Sequence, residues 1–264
     1  MKMRSLVLGI AAAVAAHAGL ARAQTVLRFN LWVPPAHHTH AKMMLPWANE
    51  VAEATNGRVK VEFTAASLGA PPRQFDLAAE GLADVTFGDH TYTPGRFIIT
   101  KMVELPFTGD NAEALSVAFW RTYSPLPEGE KEHEGVKLLS MFTTGINSIL
   151  TAKKKIDTVD ALRGMKLRVP GEMSSRVLKE LGAVPISAPA TQVFELVSQG
   201  VVDGASFNID AYKNFRLDRF MKLATIFPEG LYNTSFFLVM NRKKWESLPR
   251  QRSEERRVGK ECRL

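Results

Sequence analysis

Residues 74–87 read QFDLAAEGLADVTF, residues 193–206 read VFELVSQGVVDGAS, and the two segments superimpose without a gap. In each, an amphipathic helical pattern is broken by a glycine and followed by a short strand pattern. Gly81 and Asp84 of the first copy match Gly200 and Asp203 of the second. Two copies in the same context predict two similar α/β lobes. A chance similarity between two connections of one large sheet is the alternative.

A strand–helix–strand pattern precedes the first copy. Alternating apolar residues predict a largely buried strand over 26–33, which Pro34-Pro35 ends. The following helix is predicted to stop at Asn56-Gly57, and 59–63 reads as the next strand. Such units imply parallel pairing and an α/β fold. A last strand over 234–240 suits a chain that returns to the first lobe, which would leave a cleft between the lobes.

The first residues have the pattern of an export signal. Lys2 and Arg4 precede a short uncharged run, and Ala21-Arg22-Ala23 is a small-x-small cleavage site. The run is too short to cross a bilayer, which takes about 20 apolar residues, and no later segment reaches that length. We therefore expect residues 1–23 to be a signal peptide. The mature protein is expected to begin at Gln24, to be periplasmic and not to span the membrane.

The positive charge of the chain lies at its two ends. Of the formal net charge of +7, residues 1–23 contribute +3 and residues 250–264 another +3, so only +1 belongs to residues 24–249. That body has no basic stripe with interleaved aromatic residues, so nucleic acid is not an expected partner. Cys262 is the only cysteine, which excludes an intrachain disulfide and leaves the fold to its apolar core.

The last residues differ in composition from everything before them. Residues 251–264 read QRSEERRVGKECRL, with high charge density and no amphipathic period. A solvated, disordered terminus is one interpretation. The other is that residues 250–264 are not native and replace the true C-terminus.

Stretches along nearly all of 25–249 resemble, in order, the solute-binding proteins of tripartite ATP-independent periplasmic (TRAP) transporters, the DctP-like family. They are LRFNLWVPPAHH (27–38), SLGAPPRQFDLAAEGLADVTFG (67–88), YTPGRF (92–97), LRGMKLRVPG (162–171), LGAVP (181–185), QGVVDG (199–204) and FFLVMNRKKWESLP (236–249). The resemblance implies a two-lobed α/β periplasmic binding protein, type II-like, that closes on a carboxylate-bearing solute. It implies delivery of that solute to a TRAP membrane permease, with neither catalysis nor a cofactor.

The resemblance also implies a domain organisation. We expect a first α/β lobe over 24–145, a second over 146–231, and a segment over 232–249 that returns to the first lobe. Family members continue past the W-x-x-L-P motif into a long helix that spans both lobes. The chain is therefore expected to be truncated at its C-terminus and, as written, to be poorly stable.

Candidate binding residues follow from the resemblance and from position. The arginine of the family's L-R-V-P strand pairs with the ligand carboxylate, and here it is Arg168, whose planar guanidinium can give two parallel hydrogen bonds. A second family arginine is replaced near Asn147. Phe207 and Asn208 stand in the stretch where the family has Gln-Glu-Asn-Pro. Tyr92 lies in a loop at the carboxyl end of a strand, where α/β proteins bind ligands.

These departures leave the ligand open among small mono- and dicarboxylates, including 2-oxo, 2-hydroxy and sugar acids. Asn147 and Asn208 could orient ligand oxygens, but turn formation is an equal alternative for both. Tyr92 could instead pack on its own loop. Without the resemblance, Arg168 would read as an arginine on the exposed face of a strand.

A cluster of histidines gives the alternative function. His37, His38 and His40 lie within four residues and could bind zinc or copper, which would make the protein an exported metal-binding protein or a metal-dependent hydrolase. More often such loop histidines cap or solvate a helix start. The sequence has no Walker loop, G-x-G-x-x-G, G-x-S-x-G or H-E-x-x-H motif, so we expect no enzyme.

Overall fold

The computed structural model describes residues 24–248. The predicted signal peptide, the charged tail and Cys262 lie outside these residues. The strands are β1 Thr25–Asn30, β2 Val59–Phe63, β3 Val85–Asp89, β4 Val136–Thr143, β5 Asn147–Thr151, β6 Lys166–Val169, β7 Val184–Ser187, β8 Gly204–Asn208, β9 Leu223–Thr225 and β10 Ser235–Asn241. The α-helices are α1 Leu45–Ala54, α2 Gln74–Ala79, α3 Ala112–Tyr123, α4 Pro127–Glu132, α5 Glu172–Glu180, α6 Val193–Ser198 and α7 Arg242–Ser247.

The strands form two five-stranded sheets with the same plan. The first has the order β2-β1-β3-β10-β4 and the second β7-β6-β8-β5-β9. In the first sheet, β1 pairs in parallel with β2 and β3, and β10 pairs antiparallel with β3. In the second sheet, β6 pairs in parallel with β7 and β8, and β5 pairs antiparallel with β8. β10 brings the chain back to the first sheet, whereas β5 is the corresponding strand of the second. The prediction of a two-lobed α/β fold is confirmed.

The repeated sequence makes the same contacts in both sheets. Asp84 accepts a hydrogen bond from the backbone N–H of Arg28 at 2.7 Å, and Asp203 accepts one from Lys166 at the same distance. Both glycines of the repeat have positive φ, 76° at Gly81 and 69° at Gly200, which is a conformation that glycine adopts without strain. The repeated Gly-x-x-Asp thus ends a helix and ties the next strand to its parallel neighbour.

Apolar clusters support each sheet from its faces. In the first lobe, the Phe29 ring packs edge-on against Trp47 of α1 and Phe87 of β3, at centroid distances of 6.0 and 6.2 Å. In the second, Leu167 of β6 and Leu178 of α5 belong to one buried cluster. Within residues 24–248, no helix is long and apolar enough to cross a membrane.

Strand β1 is shorter than its apolar pattern predicts. It ends at Asn30, because the next backbone N–H, that of Leu31, donates to the Thr64 side chain at 3.0 Å and leaves the ladder. Residues 31–33 are nevertheless buried. Two of them, Trp32 and Val33, line the cavity between the two sheets.

Candidate functional site

A cavity of about 230 Å³ lies between the two sheets. Residues of the first lobe, the second lobe and the connecting segments all contribute to its wall. The side chains in this wall include Trp32, His37, His38, Phe87, Asp89, Tyr92, Phe142, Asn147, Arg168, Phe207, Asn208, Asp210, Phe215, Thr234 and Phe236. The carboxyl ends of β3, β6 and β8 meet there, which is where α/β sheets bind ligands.

Arg168 is buried in the cavity wall with part of its hydrogen-bonding capacity unused. Only 2% of the residue is exposed. Its Nε donates to the Ala188 carbonyl at 2.8 Å and Nη1 to the Ser206 carbonyl at 3.3 Å, whereas Nη2 is buried without a hydrogen-bond partner. The alternative of an exposed strand arginine is therefore wrong. A buried donor without an acceptor is unfavourable, and a bound carboxylate would satisfy it.

Two asparagines stand side by side near Arg168, on adjacent strands. Asn147 of β5 pairs with Asn208 of β8 in the ladder. The Asn147 amide donates to Thr234 Oγ1 at 3.2 Å. Asn208 donates to the Gly145 carbonyl at 3.4 Å and accepts from the Asp210 N–H at 2.8 Å. The second of these Asn208 contacts is a turn contact, so the turn-forming alternative describes part of its bonding.

Tyr92 bridges the two lobes at the cavity. The N–H of Ala190, in the second lobe, donates to its hydroxyl oxygen at 3.0 Å. Burial raises the pKa of the Tyr92 hydroxyl to about 12, so the group keeps its proton and can donate it. The Tyr92 ring meets Trp32 edge-on at 6.3 Å, which means that it packs within the cavity wall and not only on its own loop.

Aromatic rings form much of the remaining wall. Trp32 stacks on Phe87 at 5.2 Å, and Phe142 stacks on Phe236 at the same distance. In the second lobe, Phe207 contacts Phe215 at 5.5 Å, and the Arg168 guanidinium carbon lies 5.3 Å from the Phe207 ring. Apart from Phe207 and Tyr92, sequence reasoning did not assign these rings to the site. They come from distant parts of the chain, and their alternation pattern also fits ordinary core residues.

Asp89 is a further site residue that sequence reasoning missed. It ends β3, is 3% exposed, and its Oδ1 accepts from the N–H and the hydroxyl of Thr91 at 2.8 and 2.7 Å. Burial raises the pKa of its carboxyl to about 7, although the Thr91 bonds and Arg168 act in the opposite direction. The repeat does point to this residue. If the alignment of 74–87 with 193–206 is extended by two residues, Asp89 matches Asn208.

The histidine cluster contributes one buried ring to the cavity wall. His37 stacks on His38 at 4.5 Å, and its Nδ1 accepts from the Thr39 N–H at 3.1 Å. Burial lowers the pKa of His37 to about 4. The Nδ1 of His40 lies 2.8 Å from the Pro35 carbonyl. In the region 24–248, no three His, Cys, Asp or Glu side chains are grouped to hold a metal ion, which contradicts the metal-site alternative.

Direct contacts hold the lobes together around the cavity. Lys101 of the first lobe forms a 2.6 Å ion pair with Glu172 of the second. Asn214 of the second lobe donates to the Ala36 carbonyl at 3.2 Å. Gly171 lies so close to Thr91 that a Cβ at this position would be 2.6 Å from the threonine Cβ. The two lobes are thus closed against each other beside the cavity, which itself remains partly open.

Solved structures of TRAP solute-binding proteins have the same fold as this chain. A TRAP periplasmic solute-binding protein from Bordetella bronchiseptica, with bound (R)- and (S)-mandelate, is 37% identical, with a TM-score of 0.85 over 89% of this chain and 74% of that one. A marine metagenome TRAP protein specific for aromatic acid ligands, in complex with 3-hydroxybenzoate, is 32% identical, with a TM-score of 0.84 over 90% and 74%.

Sequence comparison gives the same assignment. An outer membrane transporter protein of Comamonas testosteroni, TsaT, is 29% identical over 223 residues, which are 84% of this chain and 66% of that protein. This chain thus spans about two thirds of the length of that relative. The model of the bacterial extracellular solute-binding proteins, family 7, matches residues 29–255. Because this match covers most of the chain and agrees with the two-lobed fold, the chain belongs to the bacterial extracellular solute-binding proteins of family 7.

Proposed function

We propose that this protein captures a small aromatic monocarboxylate in the periplasm and delivers it to a TRAP-type membrane permease. The observation that carries the proposal is the buried, unpartnered Nη2 of Arg168 in the wall of a cavity lined by aromatic rings. Two lobes close on the ligand in this proposal. The first consists of residues 24–145 and the returning segment that starts at residue 232, and the second consists of residues 146–231.

The carboxylate assignment follows from the bonding of Arg168. Its Nε and Nη1 are held by the carbonyls of Ala188 and Ser206, so the orientation of the guanidinium is fixed before a ligand arrives. A guanidinium N–H binds a carboxylate oxygen about twice as strongly as it binds a neutral acceptor. A preorganised donor also spends little conformational entropy on binding.

The aromatic assignment follows from the walls. Trp32, Phe87 and Phe207 offer ring faces and edges, and aromatic pairs gain about 0.5–1.5 kcal/mol beyond the area that they bury. Two related structures hold mandelate and 3-hydroxybenzoate, which supports the same class of ligand here. The volume of about 230 Å³ suits a ligand with one ring, since pockets for drug-sized ligands start at roughly 300 Å³.

The charges in the wall favour a monoanion over a dianion. Among the described residues that line the cavity, Arg168 is the only lysine or arginine, whereas Asp89 and Asp210 are acids. A dicarboxylate would place its second carboxylate in a buried site without a cation to pair with it, which costs several kcal/mol. Of the mono- and dicarboxylates that the sequence left open, the geometry favours the former.

The other predicted site residues are proposed to orient the ligand. Tyr92 keeps its own hydroxyl proton free to donate, because it already accepts from Ala190. The amides of Asn147 and Asn208 lie where they could bind a ligand hydroxyl or the second carboxylate oxygen. Phe207, which packs by Arg168, would support the ring or the carboxylate from one side.

A thermal-shift screen of organic acids tests this function. We expect mandelate, benzoate and 3-hydroxybenzoate to raise the melting temperature with increasing concentration, because a ligand that binds only the folded state stabilises it by mass action. Three compounds serve as controls. Succinate has a second carboxylate, galactonate has a carboxylate but no aromatic ring, and benzyl alcohol has the ring but no carboxylate. Stabilisation by benzyl alcohol or by metal ions, with none from the aromatic acids, would contradict the proposal.

A further inference from the structure

We propose, resting on the function above, that Asp89 is a ligand-contacting residue that meets the ligand as a neutral carboxylic acid. Above about pH 7, where Asp89 of the free protein is ionised, the capture of a monocarboxylate then takes up one proton from solution, which protonates Asp89. The protonated carboxyl donates a hydrogen bond to a ligand oxygen, while the ligand carboxylate itself stays ionised and pairs with Arg168.

The geometry of Asp89 leaves one carboxyl oxygen for the ligand. Oδ1 is engaged by the N–H and the hydroxyl of Thr91, which fixes the side chain at the end of β3. Oδ2 makes no hydrogen bond to any of residues 24–248, and the residue lines the cavity together with Arg168. The two side chains form no direct ion pair there, because the hydrogen bonds of Arg168 run to backbone carbonyls.

The groups that face Asp89 include a single cation. The charged and titratable groups that act on it or share its cavity are Arg168 from β6, Tyr92 from the turn after β3, Glu104 from the 3-10 helix over 99–104, Tyr232 from the segment before β10, and His37, His38 and Asp210 from the cavity wall. Lys101 acts on Glu104 from farther out and is paired with Glu172. His37 is neutral at pH 7, because burial lowers its pKa to about 4.

The charge balance decides the protonation state of the complex. An ionised Asp89 and a ligand carboxylate would put two negative charges beside one guanidinium in a buried space, and like charges in such a site cannot both remain ionised without a large cost. Burial already raises the pKa of Asp89 to about 7 in the free protein, and the negative ligand raises this pKa further. The ligand carboxylate stays ionised in preference to Asp89, because it can accept a hydrogen bond from the unpartnered Nη2 of Arg168.

The coupling between ligand binding and the protonation of Asp89 makes the affinity fall as the pH rises. Below the pKa of Asp89 in the free protein, the residue is already neutral, so affinity does not depend on pH and no proton is taken up. Above about pH 7, free Asp89 is ionised, and each further unit of pH lowers the affinity by about tenfold until the pKa of the complex is reached.

Isothermal titration calorimetry with mandelate tests the inference. Wild-type protein is titrated at about pH 6 and about pH 8, in buffers of different ionisation enthalpy, so that the number of protons bound can be obtained. We expect close to no proton uptake at the lower pH, close to one proton at the higher, and about tenfold weaker binding at the higher. Asp89→Asn keeps an acceptor for Thr91 and offers an amide donor to the ligand. It should bind with the same affinity at both pH values and take up no proton.

Asp210→Asn is the matched control, since Asp210 is an exposed acid of the same cavity. This variant should keep the proton uptake of the wild type at about pH 8. Mandelate binding without proton uptake by the wild type at that pH would overturn the inference and leave the proposed function intact, as would an unchanged pH dependence in Asp89→Asn. If neither mandelate, benzoate nor 3-hydroxybenzoate binds at either pH, the proposed function fails and the inference fails with it.

Discussion

Glu104 is a buried acid of the first lobe whose ionisation makes the stability of the protein depend on pH. Its Oε1 accepts from the Ser235 hydroxyl at 2.7 Å, and Ser235 in turn contacts His90 at 3.0 Å. Burial raises the pKa of Glu104 to about 8, against the effect of the Ser235 hydrogen bonds. The acid is therefore neutral in the folded protein at pH 7 but ionised in the unfolded chain, and this difference makes stability depend on pH.

We predict that Glu104→Gln stabilises the protein at pH 8 but not near pH 4.5. The folded-state pKa is raised, so the stability that the neutral acid contributes is full below about pH 4.5 and is lost as the pH rises through about 8. Glutamine stays neutral and keeps the acceptor for Ser235. Urea unfolding at both pH values measures the difference, with the surface change Glu50→Gln as control. A destabilised Glu104→Gln at pH 8 would contradict this account.

At the scale of single residues, sequence reasoning identified the polar residues of the second lobe better than those of the first. Arg168, Asn147 and Asn208 carried motif or strand-end signals, and the structure brings them to one cavity. Asp89 had only a weak signal, its alignment with Asn208 beyond the repeat. Its importance depends on burial and on Arg168, which is distant in sequence, and local patterns contain neither.

The repeated elements predict an asymmetry between two equivalent aspartates. Asp84 and Asp203 accept the same backbone hydrogen bond, but Asp203 is exposed and Asp84 is partly buried. We predict that Asp84→Ala costs about 1.5–2 kcal/mol of the free energy of unfolding, since a hydrogen bond to a charged group contributes about 1.5–3. Asp203→Ala should cost less because water competes there.

Chemical denaturation of the two alanine variants measures this difference. Asp84→Asn is the control, because it keeps an oxygen acceptor for the Arg28 N–H and should lose less than Asp84→Ala. Equal losses at the two positions would show that burial does not set the strength of this contact.

The order of the elements could be predicted from the sequence, whereas the ends of strands were less certain. The helix and strand of each repeat occur where the pattern indicates, and β10 returns to the first sheet. β1 ends earlier than predicted because a side chain, Thr64, takes the hydrogen bond that would have continued the ladder. Periodicity reports which residues are buried, and it cannot report which donor satisfies a given backbone group.

The molecule as a whole depends on a close approach of its lobes at Gly171. A Cβ there would meet Thr91 at 2.6 Å, while the extended backbone, with φ −168°, accepts any residue. We predict that Gly171→Ala weakens the binding of aromatic acids at least about tenfold, because the methyl group hinders closure at a cost of about 1.4 kcal/mol or more. Each lobe should still fold.

Calorimetric titration and a melt of the unliganded protein test the two halves of this prediction. Gly69→Ala is the matched control, since its new methyl group would meet ordinary contacts at 3.5 Å within the first lobe. Unchanged affinity in Gly171→Ala would mean that ligand binding does not require this closed arrangement.

The two-lobed architecture was predictable because it is encoded twice, as a repeat with the same Gly-x-x-Asp ending. The cavity was not. Its rings come from residues 32 to 236 and meet only through the packing of two sheets. The interlobe contacts of Tyr92 and Lys101 involve partners far away in sequence, which no local pattern identifies.

The central claim is that an aromatic monocarboxylate binds at Arg168, and calorimetric titration of the wild type and Arg168→Ala with mandelate tests it most directly. We predict a single site in the wild type and an affinity about thirtyfold to several thousandfold lower in the variant. The reason is that a buried carboxylate without its partner costs about 2–5 kcal/mol. Arg168→Lys should also bind weakly, since the donors of an ammonium all lie on one nitrogen and cannot reproduce the planar fork that reaches Ala188, Ser206 and the ligand in fixed directions. An Arg168→Ala protein that stays folded and binds mandelate within about threefold of the wild type, a difference of roughly 0.7 kcal/mol, would contradict the account.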